Sequence, residues 1–574
     1  MKPGRHTLHH LTAITLAGMI VGLVAAFATV GFVELVQYLN DQLYISTDSR
    51  ARISGDALAL ITVAVLTLGG LVVGLILHYG VAQKSSLGPA DTIFAIQLRE
   101  KLPAPLSGLS STLAAMLSLG CGASVGQYGP LVYIGTLAGQ ITNRLPLGLP
   151  YLRSITIACG VAAAISTAFN APIAALIFTH EVILRHYSLR MFAAVTVASA
   201  CGYFVANVVF DHPPLFLVEI DGSFRAVEFL LFAIEGVACG VLAVLLMKAL
   251  KHSIRLSARL KIHAVLKPML AGFVTSLIAL QVPEVLGAGQ GVFNEAILGN
   301  SYSADSLLLI LLAKLLVTVI CIGFGFAGGV IFPSMLVGAL FGALFALLVP
   351  ELLLDSYSGV SDYAICGMVA IMSPVIGAPM TALLLVFEMT RNYEITIAAM
   401  VAVVFANLIA SIWYGRSLYD QQLAGRGIDL SLGRERAYLM HHRVGEHLRD
   451  CLPVVSLQTS QREAAALMSA SQTTSAVIVD DEHRYQGILL YSQLSAEAGK
   501  DNDSVASIDC PPRPHFNEHT SIWEAMQIMR DYLGIAIAVV DSSNGRYLGA
   551  IPEAAVINAY LDATQELRRE EHEI

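Results

Sequence analysis

Asn170 to Val182 reads NAPIAALIFTHEV, and Gly377 to Met389 reads GAPMTALLLVFEM. Each copy carries an Ala-Pro pair, an apolar run and a Glu ten places after the Ala, and the copies lie 378 minus 171, or 207, residues apart. A second pair keeps nearly the same offset: PLVYIGTLAG from Pro130 and PSMLVGALFG from Pro333, both of the form P-x4-G-x3-G. Proline suits the first turn of a helix, where its missing N–H costs nothing. Duplicated, Pro-opened apolar helices separated by Gly-rich breaks are the pattern of a membrane transport protein built from internal repeats, and its site is expected where those helices break.

The composition agrees. The 574-residue chain is 55% hydrophobic and 13% charged, against roughly 25% charged for an average soluble domain. Stretches long enough to span a bilayer occur at about 11–37, 56–80, 190–210, 227–250, 305–325 and 394–413; the rest read as too short or as broken by Gly and Pro. Lys248, Lys251, Arg255, Arg259 and Lys261 form an acid-free basic cluster that reads as cytoplasmic. Asp211, Glu219, Asp221 and Glu228, with Arg225 the lone base among them, suit the opposite side. A formal charge of -9 argues against a nucleic-acid partner. The eight Cys are scattered without a C-x-x-C pair, so they read as small buried hydrophobes, with no metal or disulfide role. The apolar run after MKPGRHTLHH is too long for a signal core and is expected to be the first membrane helix.

After about Ala424 the composition turns polar and no spanning stretch follows. This tail has its own duplication: AVIVDDEHRYQGIL at Ala476 to Leu489 and IAVVDSSNGRYLGAI at Ile537 to Ile551. An amphipathic pattern precedes each, REAAALM ending at Met468 and IWEAMQIM ending at Met529. The reading is helix, strand, turn, strand, helix, twice over.

A bare anion cannot cross hydrocarbon, and a full opposing charge would hold it too tightly to leave. Partial charges from helix N-termini and hydroxyl dipoles are the suitable compromise. Three loops have the required Gly and Pro: KSSLGPADT at Lys84 to Thr92, GQYGP at Gly126 to Pro130, and GGVIFP at Gly328 to Pro333.

At these residues the chain resembles the CLC family of chloride channels and chloride/proton exchangers, over its membrane part, with the tail resembling a tandem pair of CBS domains. The family's anion-binding motifs are GSGIP, GREGP and GxFxP, with a Tyr on a late helix. SSLGP fits the first with Ser86 as the anion-facing hydroxyl. GQYGP fits the second through Gly126, Gln127, Tyr128 and Gly129. GVIFP fits the third through Val330, Ile331 and Phe332, the Phe coming one place late. Tyr419 in SLYDQQL fits the late Tyr. The resemblance implies an all-α membrane domain of two inverted repeats with broken helices (1–424; repeats about 56–210 and 227–420). A cytoplasmic α+β CBS pair would follow (425–574; copies about 444–497 and 503–562). It also implies a homodimer in the lipid bilayer with one chloride path per subunit, both termini cytoplasmic, in a bacterial inner membrane. It implies neither an enzyme nor a resident cofactor.

The departures from the family decide between its activities. In the exchangers the middle residue of GREGP is a Glu that cycles protons; here it is Tyr128. A Glu titrates near pH 4.3, whereas a Tyr, near 10, is ionised at only about one part in a thousand at pH 7. A second proton-handling Glu of the exchangers directly follows the Glu that ends the NAP helix; here Glu181 matches the first and Val182 replaces the second. The expectation is therefore passive anion conduction gated at Tyr128. A chloride/proton antiporter is the alternative; a fluoride exporter or a non-conducting CBS-linked sensor comes after it. Glu181 and Glu388 are membrane carboxylates repeated in both halves and read as structural, each taking donors at a helix end. In the tail, Gln493 and Ala555 stand where the CBS family places a ribose-contacting acid, so an adenine nucleotide there is doubtful and a dimerising, regulatory role is expected.

Overall fold

The computed structural model describes residues 5–572 apart from 54, 143–151, 212–223, 225, 299–301, 353–357, 496–502, 509, 511–513 and 533–535. The acids Glu219 and Asp221 and the base Arg225 lie outside the described residues. The chain divides into two compact units, 1–425 and 426–573.

The first unit is helical. Among the described residues, eight helices are long and apolar enough to cross a bilayer. Six of them cover the stretches expected from hydropathy, and two were not expected: Leu152–Phe169 and Ile331–Leu348. Their windows are 83% and 78% buried inside the protein, the highest of the set. Helices wrapped by other helices need not present Leu and Ile to lipid; small residues that allow close approach serve better. The first of the two accordingly reads ITIACGVAAAIST through its middle. Glycine spacing supplies the packing rule. A Cβ on Gly135 would meet Gly160 O at 2.3 Å, and a Cβ on Gly338 would meet Gly367 O at 2.3 Å. The first glycine of each P-x4-G-x3-G copy is therefore where the Tyr128–Thr142 helix crosses Leu152–Phe169, and where Ile331–Leu352 crosses Val360–Ile376.

Two contacts establish that the repeats are inverted. Gly126 and Gly329, each four residues before its motif proline, form an antiparallel bridge. Gly126 N–H donates to Gly329 O at 2.8 Å, and Gly329 N–H donates to Gly126 O at 2.7 Å. The two Ala-Pro helices also lie head to tail. Glu181, just past Pro172–Phe178, accepts from the amides of Met380 (3.0 Å) and Thr381 (2.9 Å) at the start of Pro379–Thr390. Glu388, near the end of that helix, accepts from the amides of Ile173 (2.8 Å) and Ala174 (2.7 Å). Each carboxylate thus meets the orphan donors and positive dipole end of the other repeat's helix. Those interactions offset the cost of holding an acid at membrane depth.

The second unit holds two three-stranded sheets. β1 (Val454–Ser456), β2 (Ser475–Val479) and β3 (Tyr485–Leu490) form one; β4 (Phe516–Asn517), β5 (Ala536–Val540) and β6 (Tyr547–Pro552) form the other. In each, the first strand pairs parallel to the second and the second antiparallel to the third. The sequence pattern did not reveal β1 and β4, because two or three residues are too few to show a period of two. The helices Gln461–Ala470 and Ile522–Met529 are those expected from the amphipathic pattern. Leu452, Val477, Val479, Ala536 and Ala550 form one apolar cluster drawn from both copies, so neither sheet is covered without the other.

Candidate functional site

Three helix starts and one short helix carry the residues singled out in the sequence. Pro89–Gln97 begins at proline, with Gly88 as N-cap. Asp91 Oδ2 accepts from the Gly88 amide at 2.8 Å and closes the cap. Ser86 is therefore not the cap of this helix; it stands half-buried ahead of it. Leu87 N–H is held by Ser111 Oγ at 2.8 Å, fixing the loop between. Thr92 and Thr136 share a hydrogen bond of 2.8 Å that ties this helix to Tyr128–Thr142.

Tyr128 begins its helix and is fully buried. Its ring stacks on Phe169, with centroids 3.7 Å apart and 15° between planes. The ring of Phe332, the residue one place late in the third motif, lies 5.9 Å from that of Tyr128 and is tilted 49° to it, and Phe293 lies 5.3 Å from Phe332. The shift in the motif thus puts an aromatic ring beside Tyr128, while Ile331 takes the first position of its own helix. Val330, Ile331 and Phe332 are all buried. The paired Gly126 and Gly329 bring the two loops against each other: a Cβ on Gly329 would lie 2.7 Å from Gly129 N.

Tyr419 sits in Leu418–Ala424 and is 3% exposed. Ser417 caps that helix, accepting from Asp420 N–H at 3.2 Å and donating to Asp420 Oδ2 at 2.8 Å. Asp420 also bridges Arg185 at 2.7 Å, which anchors the Tyr419 helix to the first repeat. The hydroxyl of Tyr419 is buried without a hydrogen-bond partner among the described residues, whereas that of Tyr128 is buried with only the Gln127 side chain beside it. Leaving a buried hydroxyl unpaired costs about 1–3 kcal/mol, so Tyr419 in particular has an open place for an acceptor.

Val182 is 2% exposed and lies in a π-helical turn, Thr179–Leu184. The turn follows from one extra residue. Arg185 comes fourteen places after Ala171 but Arg391 only thirteen after Ala378, and both end their helices in the left-handed region, at φ 57° and 52°. The wide turn closes through Arg185 N–H to His180 O at 2.7 Å. Neighbouring His180 is fully buried, stacked on Tyr187, with Nδ1 3.0 Å from Leu176 O. Two cavities adjoin this framework. One of about 430 Å³ reaches Gln127, with Arg50 and Glu284 in its wall; another of about 340 Å³ is lined by His180, Glu181, Val182, Arg185 and Asp420.

Sequence reasoning did not find Lys314. It is fully buried and donates to Val285 O at 2.9 Å and Gly287 O at 2.8 Å, the latter residue lining the first cavity. A lone Lys in LLILLAKLLVTVI was a visible signal, since a cation within an apolar span must have acceptors. In the tail, Gln493 Oε1 accepts from Leu490 N–H at 2.8 Å, and Ala555 lies in the apolar core of the second copy.

Paired helix starts from two inverted repeats, meeting where their helices break, are the architecture of a membrane transporter. Residues 69–411 match the voltage gated chloride channel family, and the chain belongs to it; residues 505–562 match the CBS domain. A ClcB-like protein of Ralstonia nicotianae is 27% identical over 417 residues, 72% of this chain and 96% of that protein. The H(+)/Cl(-) exchange transporter ClcA of Vibrio campbellii is 28% identical over 347 residues, 58% of this chain and 72% of its own. The crystal structure of a eukaryotic CLC transporter superposes with a TM-score of 0.64 at 18% identity, covering 96% of this chain and 98% of its own.

Proposed function

We propose that the protein conducts chloride and similar small anions passively, with Tyr128 as the gate. Chloride would dwell at the amides that open the Tyr128 and Ile331 helices and at the hydroxyls of Ser86, Tyr128 and Tyr419. The observation that carries the reading is the fully buried Tyr128 side chain, at the start of its helix and stacked on Phe169. A phenol there can occlude the path or donate to an anion, but at neutral pH it has almost no ionised form with which to shuttle protons. Val182 removes the second proton station. The reading applies to a homodimer in a bacterial inner membrane, with the basic end of Glu228–Arg259 on the cytoplasmic side. The CBS pair serves as its regulatory and dimerising module, with no nucleotide acid at Gln493 or Ala555.

Liposomes loaded with purified protein and followed by chloride and pH electrodes together test this. Passive conduction relaxes a chloride gradient to its Nernst potential and moves no protons. Uphill proton movement driven by chloride would establish the antiporter instead.

A further inference from the structure

A cavity of about 650 Å³, separate from the chloride path, lies between Glu228–Arg259, Leu266–Ala279 and Ala304–Gly323. Its walls are apolar: Leu245, Leu256, Leu270, Val274, Ile320 and Phe324 contribute most of them. Several of these side chains are exposed on the protein, so the groove opens to the surroundings of helices long and apolar enough to cross a bilayer. Its floor is closed, because Gly323 packs directly on Ser253; a Cβ there would lie 2.0 Å from Ser253 Oγ.

The polar groups in this wall are basic. Lys248 and His252, one turn apart on the same helix, both line it. Two neighbouring lysines are engaged within the protein: Lys251 Nζ donates to Gln421 Oε1 at 3.2 Å, and Lys267 Nζ to Ser257 O at 2.6 Å. Lys248 has no acceptor among the described residues. An apolar groove with an unpaired ammonium and an imidazole in its wall, at the end of the helix that also carries Arg255 and Arg259, complements one kind of occupant.

We infer that this groove binds an anionic phospholipid, its acyl chain along the apolar walls and its phosphate on Lys248 and His252. The site stands independently of whether the protein is a channel or an exchanger, since none of its residues belongs to the anion path.

The full-length protein, extracted in mild detergent and re-equilibrated in nanodiscs of mixed phosphatidylcholine and phosphatidylglycerol, is analysed by native mass spectrometry and lipid extraction. Wild type retains phosphatidylglycerol in excess of its share of the bilayer. Lys248→Ala lowers that retention about fivefold, the worth of one lysine near an anionic surface, and Lys248→Ala with His252→Ala lowers it further. Val274→Trp, which fills the groove without touching the charges, also expels the lipid. Retained lipid that mirrors the bulk mixture, or equal retention by the double variant, overturns the proposal. So does displacement of the lipid by soluble glycerol phosphate, which would make this a headgroup-only anion site. Cross-linking between two Val274→Cys chains would give the groove to a second copy and overturn it too.

Discussion

Tyr128 and Ile331 hold the same place in two copies of one motif, each two residues before its proline and each the first residue of its helix. Around them the copies agree closely. Gly126 pairs with Gly329, Gly135 and Gly338 make equivalent helix crossings, and Glu181 and Glu388 exchange places at each other's helix starts. Two differences fall at the helix breaks and ends: an aromatic with a hydroxyl in the first copy against an aliphatic in the second, and one inserted residue forming a π-turn beside Val182. Duplication accounts for the scaffold, and asymmetry within it marks the chemistry. π-Turns of this kind are inserted residues, frequent at functional sites.

The most severe test of the shared scaffold is Gly329→Ala. Its Cβ would sit 2.7 Å from Gly129 N and 2.9 Å from Gly129 Cα, both backbone atoms of the partner loop that cannot swing aside. Overpacking of this sort costs about 3 kcal/mol. The variant should lose chloride flux altogether, with a lower yield of monodisperse protein on size exclusion. Wild-type flux would mean that the two loops are not held together as tightly as their paired amides indicate.

Tyr128→Ala probes the asymmetric position itself. Removing the ring stacked on Phe169 should open the constriction and raise chloride flux in liposomes by about tenfold. The matching change at the other copy, Ile331→Ala, should leave flux within about twofold, since an aliphatic start to a helix is a wall and not a gate. Equal effects at the two positions would erase the distinction between the copies.

The carboxylate pair offers a finer comparison. Glu181 accepts from two amides and also from Thr381 Oγ at 2.7 Å, whereas Glu388 accepts from two amides. Glu→Gln leaves one good acceptor in place of two, so each variant should lose about 1.5 to 3 kcal/mol, the range for hydrogen bonds to charged groups. Thermal unfolding in detergent should fall further for Glu181→Gln than for Glu388→Gln. The reverse order would show that the third donor contributes nothing.

Much of this was legible in the sequence. The Ala-Pro and P-x4-G-x3-G copies gave the duplication, and six spans followed from hydropathy. The two central spans did not, for different reasons: Leu152–Phe169 is built of Ala, Gly and Thr and has the lowest hydropathy of the set, 1.5, whereas Ile331–Leu348, at 2.2, is apolar enough but its Pro and Gly read as breaks. The acids could be assigned to helix ends from their repetition, but the sequence does not say which helix. That partner, roughly two hundred residues away, is set by the inversion. The π-turn was available as a one-residue mismatch between Arg185 and Arg391, visible only once both were known to end their helices. Phe332 was legible as a displaced family residue, yet its contact with Tyr128 depends on how two loops approach in space. The strands β1 and β4 were too short to announce themselves.

The smallest expected effect is also the sharpest for mechanism. Tyr128 differs from Ile331 in two respects, an aromatic ring and a hydroxyl, and Tyr128→Phe removes only the second. Within the protein that hydroxyl has only the Gln127 side chain beside it, so its loss should change stability by no more than about 1 kcal/mol. Flux should stay low, because the stacked ring persists. The hydroxyl should matter chiefly when an anion is present to accept its proton, as a fall in apparent chloride affinity of about 10- to 15-fold, the net worth of one hydrogen bond to a charged group near the lower end of its range. A Tyr128→Phe variant that conducts as freely as Tyr128→Ala would assign the gate to the hydroxyl. One with unchanged chloride affinity would leave the ring as the whole of the difference between the two copies.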